Sequence, residues 1–225
     1  MKVAGIILVA GSSTRFDSKI SKQLFNLNNK PVFSYSIDEF NKSNLFDEII
    51  VVCDSKTISK VTEYTIANNI NAKVIEGGLE RQDSVKNGLN ALQDLDDNDI
   101  VIIHDGARPL ISKDILVNII EQTIKFDAVT TCLPMEDTIV SSNDDSINQF
   151  INRKTTFRVQ TPQAFKYSLI KKAHENATSN TATDDCTLVM NLGHQVKLIP
   201  GSKKLTKITT IEDIKYLEVL LNDWI

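Results

Sequence analysis

Cysteine is scarce in this 225-residue chain: Cys53, Cys132 and Cys186 are odd in number, far apart and in no Cys-x-x-Cys pair. That argues against a disulfide framework and against zinc-site spacing, and points to a reducing, cytoplasmic compartment. Long hydrophobic runs are also missing, so no transmembrane span is expected. Met1-Lys2 leads into a strand of buried character, which is not how a signal peptide begins. Positive charge is not in excess, since 25 Lys and Arg against 29 Asp and Glu leave a formal charge of −4. A general nucleic-acid binder needs a basic stripe, and an anionic small substrate would require the cations to be gathered locally. With only three histidines, no nucleophile–His–acid arrangement is recognisable. Internal repeats, linkers and low-complexity tracts are lacking as well, so one domain with a single core fits the length.

What is present is an alternation. Hydrophobic content of 41% with 24% charged residues describes an ordinary globular protein. Apolar runs at Val3 to Ala10, Glu48 to Cys53, Lys73 to Ile75 and Ile100 to His104 alternate with helix-periodic segments. That pattern predicts an α/β fold with a mostly parallel, Rossmann-like sheet flanked by helices. Helices are expected over Pro31 to Phe40, Ser84 to Leu95, a segment N-capped by Ser112, Phe165 to Ala177 and Asp184 to Leu192. A strand at Gln195 to Pro200 and a final helix opened by a Thr210-Ile-Glu-Asp213 capping box follow. After Pro134 the pattern changes: Thr138 to Ser141 and Ile147 to Ile151 read as short strands around the turn-rich Ser142 to Ser146. This predicts a β-hairpin arm at about 136–158, projecting from one 1–225 domain. An isolated hairpin is marginal in water, so it should pack on something, a second subunit or its own sheet.

Three loops carry candidate chemistry, all following strands at the edge where open α/β sheets bind ligands. The first is Ala10-Gly11-Ser-Ser-Thr-Arg15 with Ser21-Lys22-Gln23. It matches neither a P-loop nor a dinucleotide fingerprint, yet small residues admit backbone N–H groups to a phosphate and two cations supply charge. A solvated glycine turn is the plain alternative. The second, Ile100 to Pro109, is an apolar strand ending in Asp105, which could hold Mg²⁺ together with substrate phosphate oxygens or could simply cap a turn. His104 reads as packed beneath it. The third, Glu76-Gly77-Gly78-Leu-Glu-Arg81-Gln-Asp-Ser84, could receive a nucleobase and ribose or be an ordinary strand-to-helix turn.

Together the loops suggest a nucleoside triphosphate across the sheet edge. In their order, and with Asp137-Thr138, Arg153, Gln160-Thr-Pro-Gln163, Thr183-Asp-Asp185 and Gly201 through Lys207-Ile-Thr-Thr210, the chain resembles the 2-C-methyl-D-erythritol 4-phosphate cytidylyltransferases from Val3 to about Asp213. The resemblance implies a CTP- and Mg²⁺-dependent nucleotidyltransferase of non-mevalonate isoprenoid biosynthesis. It implies Arg15 and Lys22 on the triphosphate, and Ala10, Gly11, Gly77, Arg81 and Ser84 around the nucleotide. It further implies Asp105 on the metal, and Arg108, Thr138, Arg153, Thr183 and Lys207 around the sugar-alcohol phosphate. Interlocked arms would make a homodimer in which Thr138 and Arg153 serve the partner's site. Ser13, Ser21 and Leu205 depart from the family pattern, the last by removing a polar group near the substrate end, and Gly106 replaces a common alanine. Ribitol 5-phosphate cytidylyltransferases share most of these motifs, though the Arg81 to Val85 and Thr183 to Asp185 strings look closer to the methylerythritol type. From other classes, retention of Arg15, Lys22 and Asp105 speaks against a non-catalytic nucleotide sensor. The absence of an Asp-x-Asp string speaks against a glycosyltransferase.

Overall fold

Val3–Leu8 (β1) is small or apolar at every position and buried at every position, so its two faces both need cover. In the computed structural model, which describes residues 1–11, 16 and 21–222, that cover comes from helices on either side of one sheet. The elements that follow are the short pair Asn26–Leu27 (β2) and Lys30–Pro31 (β3), then Val32–Ser43 (α1), Glu48–Cys53 (β4), Ile58–Ala67 (α2), Lys73–Glu76 (β5) and Arg81–Ala91 (α3). Ile100–Asp105 (β6), Lys113–Phe126 (α4), Ala128–Pro134 (β7), Ile139–Asn143 (β8), Ser146–Ile151 (β9) and Phe157–Lys166 (β10) come next. Tyr167–Glu175 (α5), Asp185–Asn191 (α6), Lys197–Pro200 (β11) and Ile211–Asn222 (α7) complete the order.

Alternate residues of β1 point to opposite helix layers, as the two-residue period of a strand dictates. Ile7 joins Phe33, Ile37 and Phe40 of α1 and Leu116 and Ile119 of α4. Ile6 and Leu8 join Val85 and Leu89 of α3, Ile170 of α5 and Val189 of α6 on the other face. The seven-stranded sheet runs β11-β7-β10-β6-β1-β4-β5, parallel except for β10, which is antiparallel to both neighbours. From β1 the chain steps outward to β4 and β5, then crosses back to β6 on the other side of β1. The switch point therefore lies between β1 and β6, where Leu8 pairs with Asp105 at the carboxyl ends.

The arm is a separate two-stranded ladder, β8 with β9, whose turn tightens onto Asp144 and Asp145 at φ 52° and 60°. Two consecutive left-handed residues match the twist of a tight hairpin. Every residue of β9 is exposed, including Ile147 and Phe150.

Several expected boundaries move. The helix expected from Phe165 starts at Tyr167, because Phe165 and Lys166 pair with Val101 and Ile100 of β6. The one expected from Ser84 begins earlier, at Arg81, and stops at Ala91 before extended Leu92. Ser112 occupies the N-cap of α4 without a side-chain cap bond.

A third apolar cluster, Leu27, Val32, Leu110, Ile208, Ile214 and Leu217, packs α7 against the short β2–β3 pair and draws residues 201–210 over the carboxyl edge. Asp213 fixes the end of that segment by accepting from the backbone N–H groups of Thr209 and Thr210 (both 2.8 Å) and from both hydroxyls. Burial opposes ionisation there, but those donors outweigh it and lower the carboxyl pKa. Stabilisation from Asp213 is thus present above the unfolded carboxylate pKa and lost as the pH falls through the native one. Asp213→Ala is expected to cost about 1 kcal/mol in urea unfolding at pH 7, a gap that closes on acidification.

Candidate active site

The loop after β1 is tied to β4, since the N–H groups of Val9 and Ala10 both donate to the Val52 carbonyl (2.8 and 2.9 Å). Gly11 then takes φ +142°, a conformation that L side chains rarely adopt. The loop after β5 lies against it: a Cβ on Gly77 would stand 3.2 Å from that of Ala10 and 2.6 Å from Ser84 Oγ. Ser84 Oγ accepts from the Gly78 N–H (3.1 Å) and donates to the Glu80 carbonyl (3.2 Å), so in this structure it shapes the glycine turn. Arg15 and Ser13 lie outside the described residues. Lys22 opens a short 3-10 turn, Lys22–Leu24, whose buried Gln23 reaches toward Gly106 beyond β6. Ser21 stands at its N-cap and makes no side-chain cap bond.

Asp105 is the centre of the site. Its carboxylate, at the carboxyl end of β6, accepts from Lys207 Nζ at 2.7 Å and from Arg81 Nε at 3.3 Å, and Arg108 Nε lies 3.9 Å away. Burial alone would favour the neutral acid. The charges of Arg81, Lys207 and Arg108 and the Lys207 hydrogen bond win, and hold Asp105 well below the usual carboxylate range. Arg108 shows the opposite balance: burial, with the nearby charges of Arg158 and Arg81, lowers its pKa against the pull of Asp105. Its Nη1 donates to the Leu205 carbonyl (2.6 Å).

His104 is fully buried, with Nε2 3.0 Å from the Arg108 carbonyl and Nδ1 3.2 Å from Thr161 Oγ1. Burial depresses its pKa to about 4, so it is neutral at physiological pH and both ring nitrogens are engaged. It supports the Asp105 loop from beneath.

The segment bearing Lys207 is held by Gln160, whose amide donates to the Ser202 carbonyl (2.9 Å) and accepts from the Ser202 N–H (3.2 Å). Gly201 has no room for a side chain, because a Cβ would sit 2.1 Å from Gln160 Oε1. Leu205, expected near the substrate end, points the other way: its side chain is buried in the core and only its carbonyl faces the site. The departure at this position is therefore one of packing.

Thr138, Arg153 and Thr183 are exposed and are not drawn into the Asp105 cluster within one chain. Arg153 Nη1 donates to the Glu136 carbonyl at 3.1 Å and Lys203 pairs with the Glu136 carboxylate at 3.0 Å, both at the base of the arm. His174, which sequence reasoning does not single out, and Asp185, quoted there only within a motif, complete the site from behind. Arg81 Nη1 also meets Asp185 Oδ2 at 2.8 Å, Asp185 Oδ1 meets His174 Nε2 at 2.9 Å, and Gln82 clamps Ser179 and Ala182.

The donor set suits one kind of metal site only. Among the described residues no three His, Cys, Asp or Glu side chains group to form a protein cage. The lone carboxylate at the strand end has Lys207 on one oxygen, Arg81 on the other and Arg108 nearby, so a hard ion at this edge would depend mainly on water and substrate phosphates for its ligands.

The profile of the family described as 2-C-methyl-D-erythritol 4-phosphate cytidylyltransferase matches residues 3–223. A protein of that description from Caldanaerobacter subterraneus is 39% identical over 231 residues, covering 98% of this chain and 99% of its own. Its counterpart from Clostridioides difficile is 40% identical over 223 residues, covering 96% and 92%. Among solved structures, the 4-diphosphocytidyl-2C-methyl-D-erythritol synthase of Anaerococcus prevotii superposes with a TM-score of 0.86 at 28% identity, over 98% of this chain and 96% of that one. The 2-C-methyl-D-erythritol 4-phosphate cytidylyltransferase of Francisella tularensis gives 0.83 at 28% identity, over 100% and 99%.

Proposed function

The chain belongs to the 2-C-methyl-D-erythritol 4-phosphate cytidylyltransferase family, and from that premise we propose that its carboxyl-edge site joins CTP to 2-C-methyl-D-erythritol 4-phosphate. The products are 4-diphosphocytidyl-2-C-methyl-D-erythritol and pyrophosphate, a step of non-mevalonate isoprenoid biosynthesis. The observation that carries the reading is the ionised, cation-ringed Asp105 beside the Gly11 and Gly77 loops at the switch point of the sheet.

A substrate phosphate oxygen attacks the α-phosphorus of CTP. The bond to the β-phosphate breaks, and its electron pair leaves with pyrophosphate. The second pKa of a phosphate monoester is near ~6, so the attacking oxygen is already largely ionised and no base is required. Neutral His104, with both nitrogens engaged, agrees with that. The barrier is electrostatic, because two anions must meet and charge grows on the leaving group. Arg15 and Lys22 would face the triphosphate, Ala10, Gly11 and Gly77 would give backbone access, and Arg81 and Ser84 would hold the nucleotide side of the site in shape. Arg108, Thr183 and Lys207 would meet the polyol phosphate. Asp105 would hold a divalent cation, whose chemistry when bound is to neutralise the reacting phosphates. The test is pyrophosphate release from CTP with each polyol phosphate in turn. Release with methylerythritol phosphate is expected; release with ribitol 5-phosphate alone would overturn the substrate assignment.

The arm supports a homodimer. Ile147, Phe150 and Ile151 of β9 and Val140 of β8 are exposed apolar residues that a second copy would cover, with Thr138 and Arg153 delivered to its site. Mixed dimers of Arg153→Ala and Lys22→Ala chains are then expected to regain part of the activity that each homodimer lacks. No regain in verified heterodimers would count against a composite site. The free, buried cysteines fit a cytoplasmic setting.

A further inference from the structure

One side chain of the Gln160-Thr-Pro-Gln163 string leaves its own strand and reaches into the segment that carries Lys207. β10 pairs with β7 up to Val159 and resumes at Gln163, so Gln160 lies in the irregularity between, only 1% exposed. Its Nε2 donates to the Ser202 carbonyl (2.9 Å) and more weakly to the Leu205 carbonyl (3.4 Å), while Oε1 accepts from the Ser202 N–H (3.2 Å). A primary amide has two N–H donors, and both find their acceptors in this one segment. Gln160 thus pairs with the backbone of Ser202 as a neighbouring strand would. The absence of a Cβ on Gly201 is what lets it approach.

The segment is held at both ends. Gly201 donates to the Cys132 carbonyl (2.8 Å) beside Gln160, and fully buried Ile208 donates to the Ala107 carbonyl (2.8 Å). Between them the short turn Lys203–Leu205 presents the Leu205 carbonyl to Arg108 Nη1 (2.6 Å), and Lys207 Nζ reaches Asp105 (2.7 Å). One carbonyl therefore receives both Arg108 and Gln160. We infer that Gln160 is a positioning residue for the sugar-alcohol phosphate: by fixing the 202–205 turn it sets where the Arg108 guanidinium and the Lys207 ammonium stand relative to each other. That role rests on the assignment of Arg108 and Lys207 to this phosphate above. Two cations serve one phosphate only at a set spacing, and a displacement of about 1 Å can cost up to about 100-fold. Among the described residues the Gln160 side chain makes no bond to the loops after β1 and β5, so the effect belongs to one substrate and not to CTP.

Steady-state kinetics test this, each substrate being varied at saturation of the other, alongside a thermal melt. Gln160→Met keeps the length of the side chain and removes all three bonds, so KM for methylerythritol phosphate should rise about tenfold while KM for CTP stays within about twofold. Gln160→Glu keeps the acceptor and loses the amide donors, and should fall between wild type and Gln160→Met. Ile119→Val, a core truncation in α4, controls for lost stability and should move neither KM. In an Arg108→Gln background, Gln160→Met should add about threefold or less, since one of the two cations it places is gone. A folded Gln160→Met protein whose KM for methylerythritol phosphate stays within about twofold of wild type, or whose two KM values rise alike, overturns the inference. So does a full tenfold effect in the Arg108→Gln background. Should Gln160→Met not fold, Gln160→Glu decides, and an unchanged KM for methylerythritol phosphate there overturns it. A wild-type KM in Arg108→Gln alone would instead overturn the assignment of Arg108, and the role of Gln160 with it.

Discussion

Lys22→Ala is expected to lower kcat for pyrophosphate release about a hundredfold to a thousandfold while leaving the melting transition unchanged. Removing one preorganised donor from a site where charge develops costs ~2.7–4 kcal/mol, which is that range of rate. Lys22 opens the short turn Lys22–Leu24, whose buried Gln23 lies near Gly106 at the end of β6. The lysine is half-buried and lies outside the apolar clusters. Folding should not depend on it, because the apolar contacts of this region come from Leu27, Val32, Leu110 and α7. Lys22→Arg should recover part of the rate by restoring charge without the compact ammonium geometry. Turnover of Lys22→Ala within threefold of wild type would remove Lys22 from the triphosphate.

The strands at the centre of the sheet are legible in the sequence because buried parallel strands carry continuous apolar runs, as β1, β4 and β6 do; β5, at the sheet edge and only partly buried, is marked by Val74 and Ile75 alone. Of the other strands β11 is read within Gln195 to Pro200, but β7 and β10 are not. β10 carries Thr161-Pro162, and a proline within a run reads as a strand boundary because it cannot donate to a ladder. The structure accommodates it with a register shift between Val159 and Gln163. β7 hides for a related reason, its Thr130-Thr131 pair interrupting the apolar pattern while both hydroxyls bond to carbonyls of the chain. In the site, Asp105 can be singled out as an acid ending an apolar strand at the carboxyl edge, although an Asp before a Gly equally suits a turn. The Asp185–His174 support is not legible, since Arg81 and Asp185 are 104 positions apart and nothing local marks His174. Ser84 is legible as polar at the right place, but its use in shaping the Gly78 turn depends on loop geometry that no spacing rule encodes.

Asp105→Asn should be the more damaging change for chemistry, with a loss in kcat on the order of 10³-fold or more at saturating CTP and metal. It removes the anion around which Arg81, Lys207 and Arg108 are assembled, and with it the negative charge proposed to face the divalent ion. Breaking a buried charge network by deleting one partner commonly costs about 3–5 kcal/mol of stability. Here the cost should be smaller, because each cation has somewhere else to go. Arg81 keeps Asp185, Arg108 keeps the Leu205 carbonyl, and the Lys207 side chain is 37% exposed and can turn to water. A loss of roughly 1–3 kcal/mol in urea unfolding is expected, leaving the protein folded and nearly inactive. Added Mg²⁺ should not restore the rate, since the missing element is the carboxylate charge and not the ion. A folded Asp105→Asn protein retaining a tenth or more of wild-type kcat would mean that the charge holding the reacting phosphates lies elsewhere along the sheet edge.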